Sequence, residues 1–455
     1  MVLQHAQADM HSARMEIGLF GIIFLVLRAY SMGAGTFTGI EAVSNGLPIL
    51  REPKVKTGKR TMLYMSISLA FTVMGLMVAY LLYHVSHQDG KTLNAVLFEN
   101  ITSAWPAHWR APFILITLLS EATLLLVAAQ VGFIDGPRVL ANMALDRWFP
   151  SRFATLSDRL VTQNGVLLMG GAALVTMMLT RGSVGLLVVL YSINVFITFC
   201  LSQLGMVRHW WEVRKKEKGW QRKIIVNGLG LLATSFILMS VVSLKFYEGG
   251  WITLVFTGAL VALAILVKKH YVQTLYLLRR LESLTETASA TVPWNKSSVV
   301  EFDPKAKTAV LFVNGFNGLG LHTLFNVIRL FGKEFRNFVF VEIGVIDAGN
   351  FKGAQEMENL KRQVQADLDR YVDFMKRNGH YAEGLSFMGI DVVGEVEKIR
   401  EEILKKFPAS VFFGGQLVFP KESLWTKWLH NYTVFTMQRE FYQKGIPFVL
   451  VPIRV

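Results

Sequence analysis

Three glycines lie within seven residues of the first long apolar stretch, at Gly33, Gly35 and Gly39. Glycine lowers helix stability by about 1 kcal/mol relative to alanine, so this spacing favours an interrupted helix. An interruption frees backbone carbonyl and N–H groups, which a membrane tolerates where they line a cavity, as in many secondary transporters. The alternative is a continuous helix that packs closely against a neighbour through Gly35 and Gly39.

Hydroxyl groups and one carboxylate accompany these glycines. Thr36 and Thr38 supply oxygen atoms that could contact a cation, and Glu41 places an ionisable group in the apolar stretch. Because a charge inside a membrane is costly, such a residue is by default a candidate for proton transfer or cation binding. The alternative is that Glu41 lies near the cytosolic end of its helix, where water hydrates it.

Other polar residues interrupt later apolar stretches. Glu121, a second candidate carboxylate, fits either a functional site or an interhelical hydrogen bond, whereas Asn194 and Thr198, four residues apart on one helix face, favour such a hydrogen bond. The sequence has one cysteine, and it lacks H-E-x-x-H, G-x-S-x-G and cysteine–histidine motifs. We therefore expect neither an enzyme nor a metal site, and no cofactor beyond a proton or monovalent cation as coupling ion.

Seven apolar stretches must position these residues. The 455-residue chain is 52% hydrophobic and 18% charged, with a mean hydropathy of +0.38. Soluble proteins are about 25% charged, so this composition argues against a soluble enzyme, a disordered chain or a disulfide-built module. About 20 apolar residues can cross a membrane. The stretches are 17–46, 62–84, 111–134, 163–180, 183–207, 223–244 and 250–267.

The loops between these stretches alternate in charge. Lys and Arg cluster after the first, third, fifth and seventh stretches, and such enrichment is typical of cytosolic loops. We therefore expect a multi-pass protein of the bacterial inner membrane, with an outside N-terminus and a cytosolic C-terminal region. Residues 1–289 hold 26 Lys and Arg against 15 Asp and Glu, an excess that we expect to face lipid headgroups rather than nucleic acid.

The pattern changes after a polar linker at 271–300. Short β-rich runs at 308–313, 337–345, 383–389, 410–417 and 447–451 alternate with helical patterns at 320–332, 355–378, 393–406 and 424–443. This alternation predicts a cytosolic α/β domain with a parallel sheet over 301–455. Glycine-rich turns are expected after the first strand, at 314–320, and after the fourth, at Gly414 and Gly415. They could hold a phosphate, although tight turns that need glycine explain them better.

Residues 38–48, followed by Arg51-Glu-Pro, resemble the sixth transmembrane helix of amino acid–polyamine–organocation (APC) superfamily permeases. The longer string from Leu27 is more similar to the KimA-type potassium–proton symporter branch, and residues 136–150 are similar to the family's loop after helix eight. The resemblance covers about residues 15–280. It implies a LeuT-type fold of two inverted five-helix repeats plus two helices, of which residues 17–270 would hold helices six to twelve.

The resemblance also implies a site. Thr38 and Glu41 occupy the places that KimA-like transporters use for cation binding and proton coupling, and Phe37 would be a gate over the substrate. Helices one to five have no counterpart, and residues 1–16 look like a loop outside the membrane, so we expect the transporter to be incomplete as given. The helix-six half of the substrate or ion site would comprise Gly33, Gly35, Thr36, Phe37, Thr38 and Gly39.

The function predicted in this way is proton-coupled secondary transport of an amino acid or related organocation. The alternatives are a potassium–proton symporter and a non-transporting, membrane-anchored sensor. The C-terminal domain resembles universal-stress-protein-like domains, but their nucleotide motif is not readable after Gly415. A regulatory or dimerising role is therefore expected there. The expected partners are membrane lipid, a small-molecule or cation substrate, and a second copy of the chain, with no nucleic acid.

Overall fold

The computed structural model describes residues 12, 15–26, 29, 33, 39–47, 50–216, 218–282, 300–332, 334–351, 353–419, 429–430 and 432–454. The chain divides into two compact units. The first comprises Met1–Asp135 and Met169–Ala262, and the second comprises Gly136–Leu168 and Leu263–Val455. The α/β region therefore shares a unit with the segment that follows the third apolar stretch.

The apolar part of the described chain is helical. Among the described residues, four stretches are long and apolar enough to cross a membrane, and the longest, with 60 residues, contains two helices joined by a turn. The seven-span arrangement stays a prediction. The helices are α1 (Met15–Val26), α2 (Ile40–Asn45), α3 (Lys54–Leu82), α4 (Leu93–Ile101), α5 (Ala107–Leu145), α6 (Gln163–Leu179), α7 (Val184–Glu212), α8 (Trp220–Lys245) and α9 (Trp251–Arg279).

The turn Phe246–Gly250 joins α8 to α9 and depends on a glycine. Gly249 has a φ of +106°, a conformation that side chains other than glycine rarely adopt. A Cβ atom there would also lie 2.8 Å from Cδ1 of Leu186 on α7. Because the turn packs this closely on α7, residue 249 needs both the conformational freedom and the small size of glycine.

Several helix boundaries differ from the predicted ones. The segment 136–145, expected as a loop, continues α5, and α9 runs to Arg279, well into the predicted linker 271–300. Helix α1 begins at Met15, inside the region 1–16 expected as a loop, and α4 was not predicted. Hydropathy marks where apolar surface ends, whereas a helix continues for as long as its backbone hydrogen bonds do, so these helices extend beyond their apolar stretches.

The C-terminal region contains a five-stranded parallel sheet, as predicted. Its strand order is β3-β2-β1-β4-β5. Strand β1 is therefore central, with β2 and β3 on one side of it and β4 and β5 on the other. The elements are β1 (Lys307–Val313), α10 (Gly318–Phe331), β2 (Phe335–Val345), α11 (Ala354–Arg377), β3 (Tyr381–Gly389), α12 (Val392–Lys406), β4 (Ser410–Val418), α13 (Tyr432–Gln443) and β5 (Phe448–Arg454).

Helices cover both faces of this sheet. On β1, Leu311 contributes to the core with α10 and α11, whereas Val310 contributes to the core with α12 and α13. Successive strand residues point to opposite faces, so a strand covered on both sides is apolar throughout. The continuous apolar runs of the sequence follow from this arrangement.

Gly414 and Gly415 do not form the turn that the sequence predicted after β4. Both lie inside β4, where Gly414 pairs with Phe312 and Gly415 pairs with Val451. A Cβ atom at Gly415 would lie 2.6 Å from Oγ1 of Thr323 on α10. The physical reason for this glycine is therefore the close approach of a helix to the strand, and the phosphate interpretation does not apply to it.

Candidate functional site

The glycine-rich segment is interrupted where the sequence predicts. Gly39 has a φ of +110°, which is not helical, and α2 begins at the next residue. Glu41 lies in α2, but its side chain is outside the described part of the structure, and Gly33 is exposed. The other four predicted site residues lie outside the described residues, namely Gly35, Thr36, Phe37 and Thr38. Their role stays a prediction.

Helix α2 lies next to α3 and is hydrogen-bonded to α5. The position that a Cβ atom would take at Gly39 is 3.4 Å from Sδ of Met65 on α3, an ordinary contact. At the other end, Nδ2 of Asn45 donates a hydrogen bond to Oδ2 of Asp135 on α5, at 3.2 Å. Glu41 is therefore on a helix that neighbours α3 and is joined to α5 through Asn45.

Glu121 has a specific partner. Nδ2 of Asn94 on α4 donates a hydrogen bond to Oε1 of Glu121 on α5, at 2.7 Å. The hydroxyl of Tyr80, two residues before the end of α3, donates to Oδ1 of the same Asn94. The three side chains form one hydrogen-bonded chain that joins three helices, so Glu121 makes an interhelical hydrogen bond.

Asn194 makes the interhelical bond that the sequence favours. Its Oδ1 accepts a hydrogen bond from Oγ1 of Thr257 on α9, at 2.9 Å. Oγ1 of Thr198 instead donates to the carbonyl of Asn194 on its own helix, at 2.9 Å. The structural role is therefore confirmed for Asn194, whereas Thr198 does not bridge two helices through this bond.

A buried carboxylate lies beneath the glycine-rich turn after β1. Oε1 of Glu342, on β2, accepts a hydrogen bond of 3.0 Å from the N–H of Gly315, and Glu342 is 5% exposed. The hydroxyl of Tyr371, on α11, donates to the carbonyl of Gly315 at 3.2 Å. Both backbone groups of Gly315, whose φ is +82°, therefore have side-chain partners.

This turn has little capacity for a phosphate. The N–H of Gly315 already contacts a carboxylate, and the N–H of Gly320 donates to Oδ1 of Asn317 at 3.0 Å. A Cβ atom at Gly318 would lie 2.3 Å from the carbonyl oxygen of Leu281, so the chain after α9 covers the start of α10. The arrangement agrees with the tight-turn interpretation.

Burial raises the pKa of Glu342 from its ordinary 4.5 to about 7, and the negative charge of Asp367 adds to this effect. Between these pH values the folded state binds more protons than the unfolded state. We therefore expect the free energy of unfolding of the sheet to fall by about 3 kcal/mol as the pH rises through this window. Hydrogen exchange of the β2 amides in the full chain measures this free energy.

Glu342→Gln is the control for this pH effect, since glutamine keeps the shape of the side chain and cannot titrate. The difference in unfolding free energy between the two proteins should change steadily across the window from 4.5 to about 7. A difference that stays constant over this range contradicts the assignment of the raised pKa to Glu342.

In the second unit, the segment after α5 contacts the C-terminal half of α9. Nζ of Lys268 donates a hydrogen bond to the carbonyl of Asp146 at 2.6 Å. The N–H of Ser151 donates to the hydroxyl of Tyr271 at 3.3 Å. These bonds join two segments that are far apart in the sequence but next to each other on the cytosolic side of the predicted topology.

The same segment contacts the α/β region. Thr155 and Asp347 form an antiparallel bridge, and the N–H of Ala348 donates to the carbonyl of Ala154 at 2.9 Å. Oδ1 of Asp347 accepts a hydrogen bond from the N–H of Gly349, also at 2.9 Å, which closes the turn after β2. Residues 154–155 are therefore held directly by the loop between β2 and α11.

Sequence reasoning missed Tyr80, Asn94 and Glu342. Glu342 carried a visible signal, because it is a charged residue within the apolar run 338–343 of a strand that is buried on both faces. Tyr80 and Asn94 carried none. Each is a polar residue near a helix end, a common place for such a residue. Its hydrogen bond in the site depends on a partner that only the folded chain brings close.

Comparisons with known proteins concern the apolar part of the chain. The family model described as amino acid permease matches residues 10–268, more than half of the chain. Over 270 residues, the chain is 32% identical to the potassium transporter KimA of Bacillus subtilis strain 168. The aligned region is 59% of this chain and 43% of that relative. The chain thus spans less than half the length of the relative that it matches.

Proposed function

The chain belongs to the amino acid permease family, and from that premise we propose that it works in proton-coupled secondary transport. The family match over residues 10–268, which covers most of the helical part, carries this proposal. Several of the helices are suited to cross a membrane, as a multi-pass membrane protein requires. A LeuT-type arrangement, in which these helices correspond to six to twelve in a bacterial inner membrane, is part of the proposal.

We propose potassium as the first candidate for the cargo. The similar protein is named a potassium transporter, and the hydroxyl and carbonyl oxygens expected around Thr36 and Thr38 suit a cation without its water. An amino acid would need an N-terminal helix end facing its carboxylate. The start of α2, just after Gly39, is such an end, so an amino acid or related organocation is the second candidate.

In the proposed mechanism, Glu41 carries the coupling proton and Thr38 contacts the cargo. Glu41 lies on the first turn of α2, directly after the interruption at Gly39. A carboxylate at the break of a membrane helix is next to freed backbone groups, so protonation there can alter the same site that the cargo occupies. Phe37 would cover the cargo from one side.

Uptake by the full chain in proteoliposomes tests the proposal. An inward proton gradient is applied, and radioactive rubidium, as a substitute for potassium, is compared with a panel of labelled amino acids. Rubidium uptake that a protonophore abolishes is the expected result. Gradient-driven uptake of an amino acid would overturn potassium as the cargo. Uptake of neither would overturn transport and favour the membrane-anchored sensor.

We further propose a regulatory role for the α/β region, in the cytosol. Its support is the contact of Asp347 and Ala348 with residues 154–155, in a segment that follows a long apolar helix. A ligand or a second copy of the chain that moves this loop would act on that segment directly. Association through this region is the second part of the proposal.

A further inference from the structure

The hydrogen-bonded chain of Tyr80, Asn94 and Glu121 has an arrangement that suits a switch. We propose that these three residues form a proton-sensitive latch, which holds α4 against α3 and α5 while Glu121 is charged and releases it when Glu121 is neutral. This inference rests on the proposed function for its role in transport. The latch itself is a property of the structure and can be tested without any transport.

The chemistry of Asn94 fixes the direction of both bonds. Its amide nitrogen can only donate, so it faces the Glu121 carboxylate, and its carbonyl oxygen can only accept, so it faces the Tyr80 hydroxyl. A hydrogen bond to an ionised group is about twice as strong as one between neutral groups. Protonation of Glu121 therefore weakens the bond that joins α4 to α5.

The position of Asn94 in α4 lets this helix respond to the charge on Glu121. It has nine residues, and three in succession are buried, namely Ala95, Val96 and Leu97. Thr92 caps its first turn by accepting a hydrogen bond from the N–H of Ala95 at 3.2 Å. Because Asn94 lies in that first turn, the latch acts on the end at which α4 is anchored. By the predicted topology, α4 belongs to a loop on the outer side of the membrane.

The charged groups around the latch come from the three helices and the loop before α4. Tyr80 is the titratable group that α3 brings to it. Glu99, on α4, is paired with Lys91 at 2.7 Å. Arg110, on α5, donates to the backbone carbonyl of Glu99 at 3.5 Å. Lys91 and Arg110 thus have their own partners on α4, and these contacts are independent of the proton on Glu121.

In transport, the latch would couple entry of cargo to protonation. A proton that reaches Glu121 from outside would loosen α4, and loss of that proton would fasten it again. Tyr80 lies two residues before the end of α3, Glu121 lies in the middle of the apolar stretch 111–134, and Asn94 on α4 joins the two.

Hydrogen exchange of the amides of 93–101 tests the latch in the full chain, in lipid nanodiscs, after correction for the intrinsic effect of pH on exchange. In the wild type, protection of this helix should fall about tenfold as Glu121 is protonated. Glu121→Gln should give the low protection at every pH. A wild-type pH profile in this variant would overturn the proposal.

Two further variants complete the experiment. Glu99→Gln, on the same helix but outside the latch, should retain the pH dependence, and loss of the dependence in this control would also overturn the proposal. If Glu121→Gln does not fold, Tyr80→Phe removes only the hydroxyl that orients Asn94 and should reduce the pH dependence. An unchanged dependence in Tyr80→Phe contradicts the latch. Failure to take up either rubidium or an amino acid, with a normal exchange profile, would instead overturn the proposed function alone.

Discussion

Replacing Glu41 by glutamine is expected to abolish proton-driven uptake of the cargo and to leave exchange of labelled for unlabelled cargo measurable. Glutamine has the shape of glutamate and can make similar hydrogen bonds, but it cannot take up a proton. Placing an ionisable residue inside a membrane costs free energy, so such residues usually have a functional role. Uptake under a proton gradient should therefore fall to the level of empty liposomes. Exchange without a gradient needs no net proton movement and should persist.

Glu52→Gln is the matched control for Glu41. Glu52 is an exposed carboxylate just after the same helix, 3.5 Å from Nζ of Lys54, and a surface ion pair contributes little energy. We expect this variant to transport as the wild type does. Proton-driven uptake that survives in Glu41→Gln would remove Glu41 from the coupling mechanism. Loss of both uptake and exchange would show that Glu41 has a structural role instead.

Replacing Tyr371 by alanine is expected to destabilise the α/β region by about 3 to 5 kcal/mol, as for other large aromatic residues removed from a core. The Tyr371 side chain is completely buried, and its ring stacks on Phe340 with centroids 4.8 Å apart. Its hydroxyl also holds the carbonyl of Gly315 in the turn after β1. Hydrogen exchange of the amides of β1 and β2 in the full chain measures the loss.

Two controls separate packing from hydrogen bonding at Tyr371. Tyr371→Phe keeps the ring and removes one hydrogen bond, so it should cost about 1 kcal/mol. Tyr442→Ala, at a tyrosine that is 58% exposed, should cost a similar small amount. If Tyr371→Ala costs no more than Tyr442→Ala, the core around the turn is not organised by Tyr371.

The fit between Tyr371 and Gly320 explains one glycine of the turn. A Cβ atom at Gly320 would lie 1.9 Å from the Tyr371 hydroxyl oxygen, whereas it would lie 3.0 Å from the ring carbon that bears that oxygen. A glycine at position 320 is therefore required by a buried side chain of another helix. A phosphate-binding motif and a tightly packed turn look alike in the sequence, and the contacts of the turn with Glu342, Leu281 and Tyr371 distinguish them.

The sequence by itself determined the local features of this protein. The long apolar helices, the interruption at Gly39, and the alternating strands and helices of the C-terminal region were all predicted from residues close together in the chain. Hydrophobic periodicity, helix propensity and the length of apolar runs act over one element at a time. These properties can therefore be inferred before any contact between elements is known.

Only the tertiary structure decided which side chains meet. Asn94 and Glu121 are 27 residues apart, Gly315 and Glu342 are also 27 apart, and Tyr371 is 56 residues from Gly315. Their contacts depend on the register of the strands, the bounds of α4 and α5, and the rotation of each helix about its axis. Those are fixed by packing over the whole unit, so no local pattern contains them. The partners of Glu121 and Glu342 were thus defined by the fold.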